Sequence, residues 1–105
     1  MADKLWKASE RAIAGRIGGE RVPITGRQRG SVPDVKHQWL SVECKCRQLI
    51  PMWLKEALAQ AHAAVRGEQL PVAILHEAGQ RHDDDIVCVK LAEFVEWFGH
   101  DGRWR

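Results

Sequence analysis

A chain of 105 residues, 45% hydrophobic and 29% charged, is long enough to bury one core without covalent staples, and its composition excludes intrinsic disorder. Its three cysteines are an odd number, and Cys44 and Cys46 stand too close along a strand for an easy bridge, which fits a reducing cytoplasmic setting. The net charge of +2 hides an asymmetry: residues 1–55 hold eleven Lys or Arg against five Asp or Glu, and residues 56–105 hold five against nine.

The opening MADKLWKASER has no apolar run of signal-peptide length, and no later segment approaches a membrane span, so cytoplasmic residence is expected. Residues 3–18 are expected as a helix with Asp3 as N-cap and Gly18-Gly19 as its end. The stripe Trp6, Glu10, Ile13, Ile17 places Glu10 on the apolar face. A carboxylate there needs a compensating cation, because an unpaired buried charge is costly.

GERVPIT predicts a short strand over residues 20–24, made irregular by Pro23. The loop TGRQRGSVP follows, and RVPITGRQRG, with Arg21, Arg27 and Arg29, is the densest basic stretch, suited to a polyanionic partner. Residues 34–37 then run extended into a turn near His37-Gln38. LSVECKC, residues 40–46, is the clearest strand, with Leu40, Val42, Cys44 and Cys46 facing the core and Ser41, Glu43, Lys45 and Arg47 facing out.

Pro51 suits the first turn of a second helix reaching toward Gly67, with Leu54, Ala57, Leu58, Ala61 and Val65 as its apolar stripe. PVAILH, residues 71–76, reads as a central strand, and IVCVKL as its successor after the polar link EAGQRHDDD. LAEFVEWFG, residues 91–99, closes the fold as a helix, leaving 100–105 as a flexible tail. One domain over 1–105 is expected, with its core at about 3–99. The order is α-β-β-β-α-β-β-α, an α/β fold with a mixed β-sheet flanked by helices.

Among the five tryptophans, Trp6, Trp53 and Trp97 are expected in the core or an interface, and Trp39 and Trp104 exposed. Asp83-Asp84-Asp85 is expected as a solvated hairpin end. A zinc site built from Cys44, Cys46, His76 and His82 fails on spacing. His37, His62 and His100 have no informative spacing.

Pro33-Asp34, eight residues, then Glu43-Cys44-Lys45 resembles the PD-(D/E)xK nuclease signature. With Glu10 on the preceding helix and Gln60 on the following one, the order is similar to archaeal-type and phage-encoded Holliday junction resolvases, over roughly residues 5–98. The resemblance implies a restriction-endonuclease-like fold. It makes Asp34, Glu43 and the Cys44 backbone carbonyl ligands of Mg²⁺, for which Mn²⁺ would substitute, with Glu10 binding directly or through water. Lys45 would orient or activate water and help neutralise transition-state charge, Gln60 would approach the site, and Ser31 would contact the scissile phosphate or support the metal. Arg21, Arg27, Arg29 and Arg47 would track phosphates. The expected activity is hydrolysis of phosphodiester bonds in four-way DNA junctions by a homodimer. The alternatives are the same chemistry on flaps, single strands or duplex, and a non-catalytic DNA-binding module.

Overall fold

The computed structural model describes residues 2–23 and 33–102. The chain divides into two compact units, Met1–Arg47 with Phe98–Arg105 and Gln48–Trp97.

In the first unit, α1 (Ala2–Ile17) buries Glu10, Ala14 and Ile17, while Trp6 and Ile13 are half-buried. The expected apolar stripe is therefore the packed face. The helix starts at Ala2, so Asp3 lies within its first turn and is not the N-cap. It ends where Gly18 takes a positive φ of 77°, after which Gly19 N–H donates to Ala14 O at 2.8 Å. Gly19 is needed for space: a Cβ there would stand 2.7 Å from the Lys36 carbonyl oxygen and 2.8 Å from Val35 Cγ1.

β1 (Glu20–Arg21) pairs antiparallel with β2 (Val35–Lys36), setting Glu20 against Lys36 and Arg21 against Val35. The alignment continues one step, with Val22 N–H donating to Asp34 O at 2.9 Å. On the other edge of β2, Asp34 N–H donates to Val42 O at 3.0 Å, and Val35 and Val42 form a single antiparallel bridge. The expected strand over 40–46 is thus reduced to one bridge. Its next amide, Cys44 N–H, donates to the Asp34 carboxylate instead of to a strand carbonyl, which stops the ladder. Burial still alternates as expected from Leu40 through Cys44, but Cys46 is exposed and does not face the core.

His37 organises the turn before this bridge. Its Nε2 lies 2.7 Å from Ile17 O, while its Nδ1 accepts the amides of Trp39 and Leu40 at 3.2 Å each, so Nε2 carries the proton. Trp39 is half-buried, not exposed, because its Nε1–H donates to His100 O at 3.0 Å. His100 Nε2 lies 3.2 Å from Arg16 O, and Gly102 is buried. The segment from residue 100 to 102 is therefore anchored, not a free tail. Trp104 lies outside the described residues.

The second unit holds α2 (Met52–Ala63), β3 (Ala73–Leu75), β4 (Ile86–Cys88) and α3 (Leu91–Phe98), the last ending at the unit boundary. α2 begins directly after Pro51 and stops before Gly67, and its stripe of Leu54, Ala57, Leu58 and Ala61 is half-buried, as is Val65 beyond it. β3 pairs antiparallel with β4 in the register Ala73–Cys88, Ile74–Val87, Leu75–Ile86. A 3₁₀ turn, His82–Asp84, sits between them.

The architecture is thus a small mixed α/β one, with three α-helices and two two-stranded antiparallel sheets among the described residues. Among the described residues the strands form two separate two-stranded sheets in place of the single mixed sheet expected from the sequence, and β3 is paired on one edge there. Ala73 is buried, but Ile74 is 62% exposed, so the apolar run does not mark a strand covered on both faces. Trp53, expected in the core or an interface, is 59% exposed. No described helix is long and apolar enough to cross a membrane.

Gly19→Ala should lower stability by about 1–3 kcal/mol, because the added methyl meets backbone. Gly15→Ala, at a helical position with nothing within 4 Å, should instead raise it by about 0.5–1 kcal/mol. Urea denaturation of the two variants checks both signs.

Candidate active site

The site begins with a buried carboxylate on α1. Glu10 is 1% exposed, and Arg21 Nε–H donates to its Oε1 at 2.8 Å. The cation that its position demands is therefore Arg21, delivered by the first strand after the Gly18-Gly19 turn. The guanidinium also lies 5.9 Å from the centroid of the Trp6 ring, within cation–π range. Arg21 is thus drawn inward, with 15% of its side chain exposed, and differs from the open phosphate-tracking role expected for it.

Oε1 of Glu10 is satisfied in this way. Its Oε2 is buried and has no hydrogen-bond partner among the described residues. A buried carboxylate oxygen without a donor is costly, and a cation or an ordered water is the usual remedy.

Asp34 supplies the second carboxylate, 6% exposed at the entrance to β2. Its backbone is held from both sides by Val22 and Val42, and its Oδ2 accepts Cys44 N–H at 2.6 Å. Glu43 and Lys45 flank Cys44 on the exposed side of the segment. Their side chains are 62% and 69% exposed, and Lys45 Nζ stands 3.7 Å from Glu43 Oε2.

Cys44 reports how these charges converge. Its thiol pKa is raised above the ordinary cysteine value, first by burial and then by the negative fields of Asp34, Glu10, Cys46 and Glu43. The charges of the expected carboxylates are therefore all felt at one position of this segment. They have not closed on a common point. Among the described residues, the group of three that brings its ligand atoms within 4.8 Å of one another is His76, His82 and Asp85.

Gln60 is exposed on α2, in the second unit. Arg47 is exposed, and its Nη1–H donates to Cys46 O at 2.9 Å. Arg27, Arg29 and Ser31 lie outside the described residues. Sequence reasoning set His76 and His82 beside Cys44 and Cys46, a zinc set that fails on spacing, and treated Asp83-Asp84-Asp85 as solvated, so it missed the union of the two histidines with Asp85. The signal lay in the hairpin alignment, since pairing 75 with 86 sets 76 against 85.

No protein-family model, curated protein or solved structure matches this chain.

An oxygen-rich set fits a hard divalent ion such as Mg²⁺, and the orphaned Glu10 Oε2 is the atom that most needs one. Glu10 and Asp34 would be fixed ligands. Glu43, exposed and held only by its 3.7 Å ion pair with Lys45, would be the further oxygen donor of such a set.

Arg21→Met should destabilise the protein by about 3–5 kcal/mol, since it leaves Glu10 buried and unpaired. Adding Glu10→Gln to that variant should recover part of the loss, and urea denaturation of the single and double variants measures it.

The Cys44 shift has a defined sign. The unfolded thiol loses its proton near about pH 8.5, while the folded one retains it, so stability conferred by the protonated group is complete below that pH and falls above it. Denaturation midpoints on either side of about pH 8.5 should show this decline, and Cys44→Ala should flatten it.

Proposed function

We propose that this protein is a Mg²⁺-dependent endodeoxyribonuclease with a PD-(D/E)xK site, acting as a homodimer on four-way DNA junctions. The observation that carries the reading is Glu10, buried on a helix face with one oxygen paired to Arg21 and the other without a partner among the described residues, its charge felt at Cys44 together with that of Asp34. A purely structural ion pair has no need of a further carboxylate oriented by a backbone amide close by. A binding-only module has equally little need of Glu10, Asp34, Glu43 and Lys45 as a complete set.

Each residue has a distinct task in this reading. Glu10, Asp34, Glu43 and the Cys44 carbonyl would hold Mg²⁺. The ion would supply Lewis-acid stabilisation for phosphodiester hydrolysis. Asp34 has its orientation set by Cys44 N–H before any ion arrives. Lys45 projects into solvent, where a phosphate can approach, and places fixed positive charge where negative charge grows in the transition state. Arg47, also exposed, adds a phosphate contact that positions DNA without reading bases.

Two active sites are required to cut paired strands of a junction, and two-fold symmetry supplies them. The exposed run Leu49, Ile50, Met52 and Trp53, between 48% and 80% exposed, is apolar surface that a second copy would cover.

Lys45→Ala should leave the fold and junction binding nearly unchanged, because the side chain is exposed, while lowering the cleavage rate by roughly a hundredfold or more. Labelled four-way junction, flap, nicked duplex and single strand, each incubated with Mg²⁺, provide the test. Cleavage confined to flaps or duplex would move the substrate assignment. No cleavage of any of them would leave a DNA-binding module, and wild-type rates in Lys45→Ala would remove this segment from the chemistry.

A further inference from the structure

We propose that His76, His82 and Asp85 form a binding site for a divalent transition-metal ion of the zinc class, closing the end of the β3–β4 hairpin. The backbone sets up the site. Leu75 pairs with Ile86, so one step further along the ladder His76 faces Asp85. The 3₁₀ turn then returns His82 to the same place, with Asp85 N–H donating to His82 O at 3.0 Å. All three residues therefore come from a single short hairpin end within one unit.

The side chains complete the geometry. His76 Nδ1 lies 2.6 Å from Asp85 Oδ1, and His82 Nδ1 lies 3.1 Å from Asp85 Oδ2. The two rings stack with centroids 4.3 Å apart and planes inclined by 27°, so both imidazoles offer the same nitrogen to one carboxylate. One ligand atom from each residue falls within 4.8 Å of the others. Ligands around a tetrahedral zinc ion, at about 2.0–2.2 Å from the metal, stand roughly 3.3 Å from one another. Replacing the Nδ1 protons by a metal ion thus needs ligand movements of less than about 1 Å.

The donor set decides the class of metal. Two imidazole nitrogens and one carboxylate suit zinc, cobalt or nickel, whereas magnesium and calcium select all-oxygen surroundings. Three protein ligands leave a fourth position for water or another carboxylate. His76 also lines a hollow of about 260 Å³ that has Glu77 and Asp84 on its wall, so a further oxygen ligand is close by. The partial exposure of the cluster, 37% for His76 and 82% for His82, gives an ion direct entry.

A clip at this point answers a local weakness. A two-stranded ladder is marginal without further support, and this one has three residue pairs with Ile74, Ile86 and Val87 each more than 60% exposed. An ion that binds only the folded hairpin stabilises it by mass action. The site differs from the carboxylate site around Asp34 in donor chemistry, and it stands whether or not that site cleaves DNA.

The test is titration of the full chain with zinc chloride, monitored by calorimetry and by the imidazole NMR signals. One equivalent should bind, shifting His76 and His82 together while His37, His62 and His100 stay in place. His82→Ala, at an exposed position that should not disturb folding, should weaken binding at least tenfold, and Asp85→Asn should do the same. Asp34→Asn should bind zinc like the unaltered protein, which separates this site from the magnesium reading. Absence of zinc binding, binding unchanged in His82→Ala, or binding lost in Asp34→Asn would each overturn the proposal.

Discussion

A carboxylate buried on the packed face of a helix constrains the whole first unit. Burying the Glu10 carboxylate at 1% exposure is costly without a cation, and β1 starts where Arg21 can reach back to supply one. That requirement explains the abrupt end of α1. Gly18 reverses the chain, and Gly19 lets β2 approach closely enough for the ladder to form beneath the helix. The pair is weak evidence for added stability, since desolvating both charges offsets most of their attraction. Its effect is on register: a one-residue slip of β1 would send Arg21 to the opposite face and strand Glu10.

The surroundings of Asp34 show a second division, between parts that are fixed and parts that can adjust. Asp34 is held by backbone bonds to Val22 and Val42 and by its own carboxylate bond to Cys44 N–H. Glu43 and Lys45, two residues apart on the next segment, are mostly solvent-exposed and joined only by a 3.7 Å ion pair. A fixed carboxylate is thus followed by two charged groups that solvent leaves free to adjust.

Local patterning was legible in the sequence where one element determines it. The stripe on α1, the glycine stop, the α2 stripe and the alternation from Leu40 to Cys44 each follow from a single period and appear as expected. The oddity of Glu10 was legible too, because a carboxylate at an apolar position stands out. What could not be read was the identity of partners. Arg21 looked like part of a basic loop until the β1 register placed it on Glu10. Trp39 looked exposed because its acceptor, the His100 carbonyl, lies 61 residues away. The strand over 40–46 looked complete because composition does not reveal that a side chain will take the amide of Cys44. PVAILH looked central because apolar runs report potential burial, whereas the ladder on only one of its edges is a matter of pairing.

The first unit is assembled from two stretches of chain, one ending at Arg47 and the other resuming at Phe98. The seam between them is concrete: His100 reaches the Arg16 carbonyl across 84 residues, and Trp39 reaches His100 across 61. During synthesis the ribosome must therefore complete the intervening segment before those bonds can close. Until then α1 and β2 lack their final contacts, while the second unit already has its own hairpin and helix in hand. High contact order of this kind slows folding. It also gives the later-emerging portion of the chain a head start over the portion that was made first.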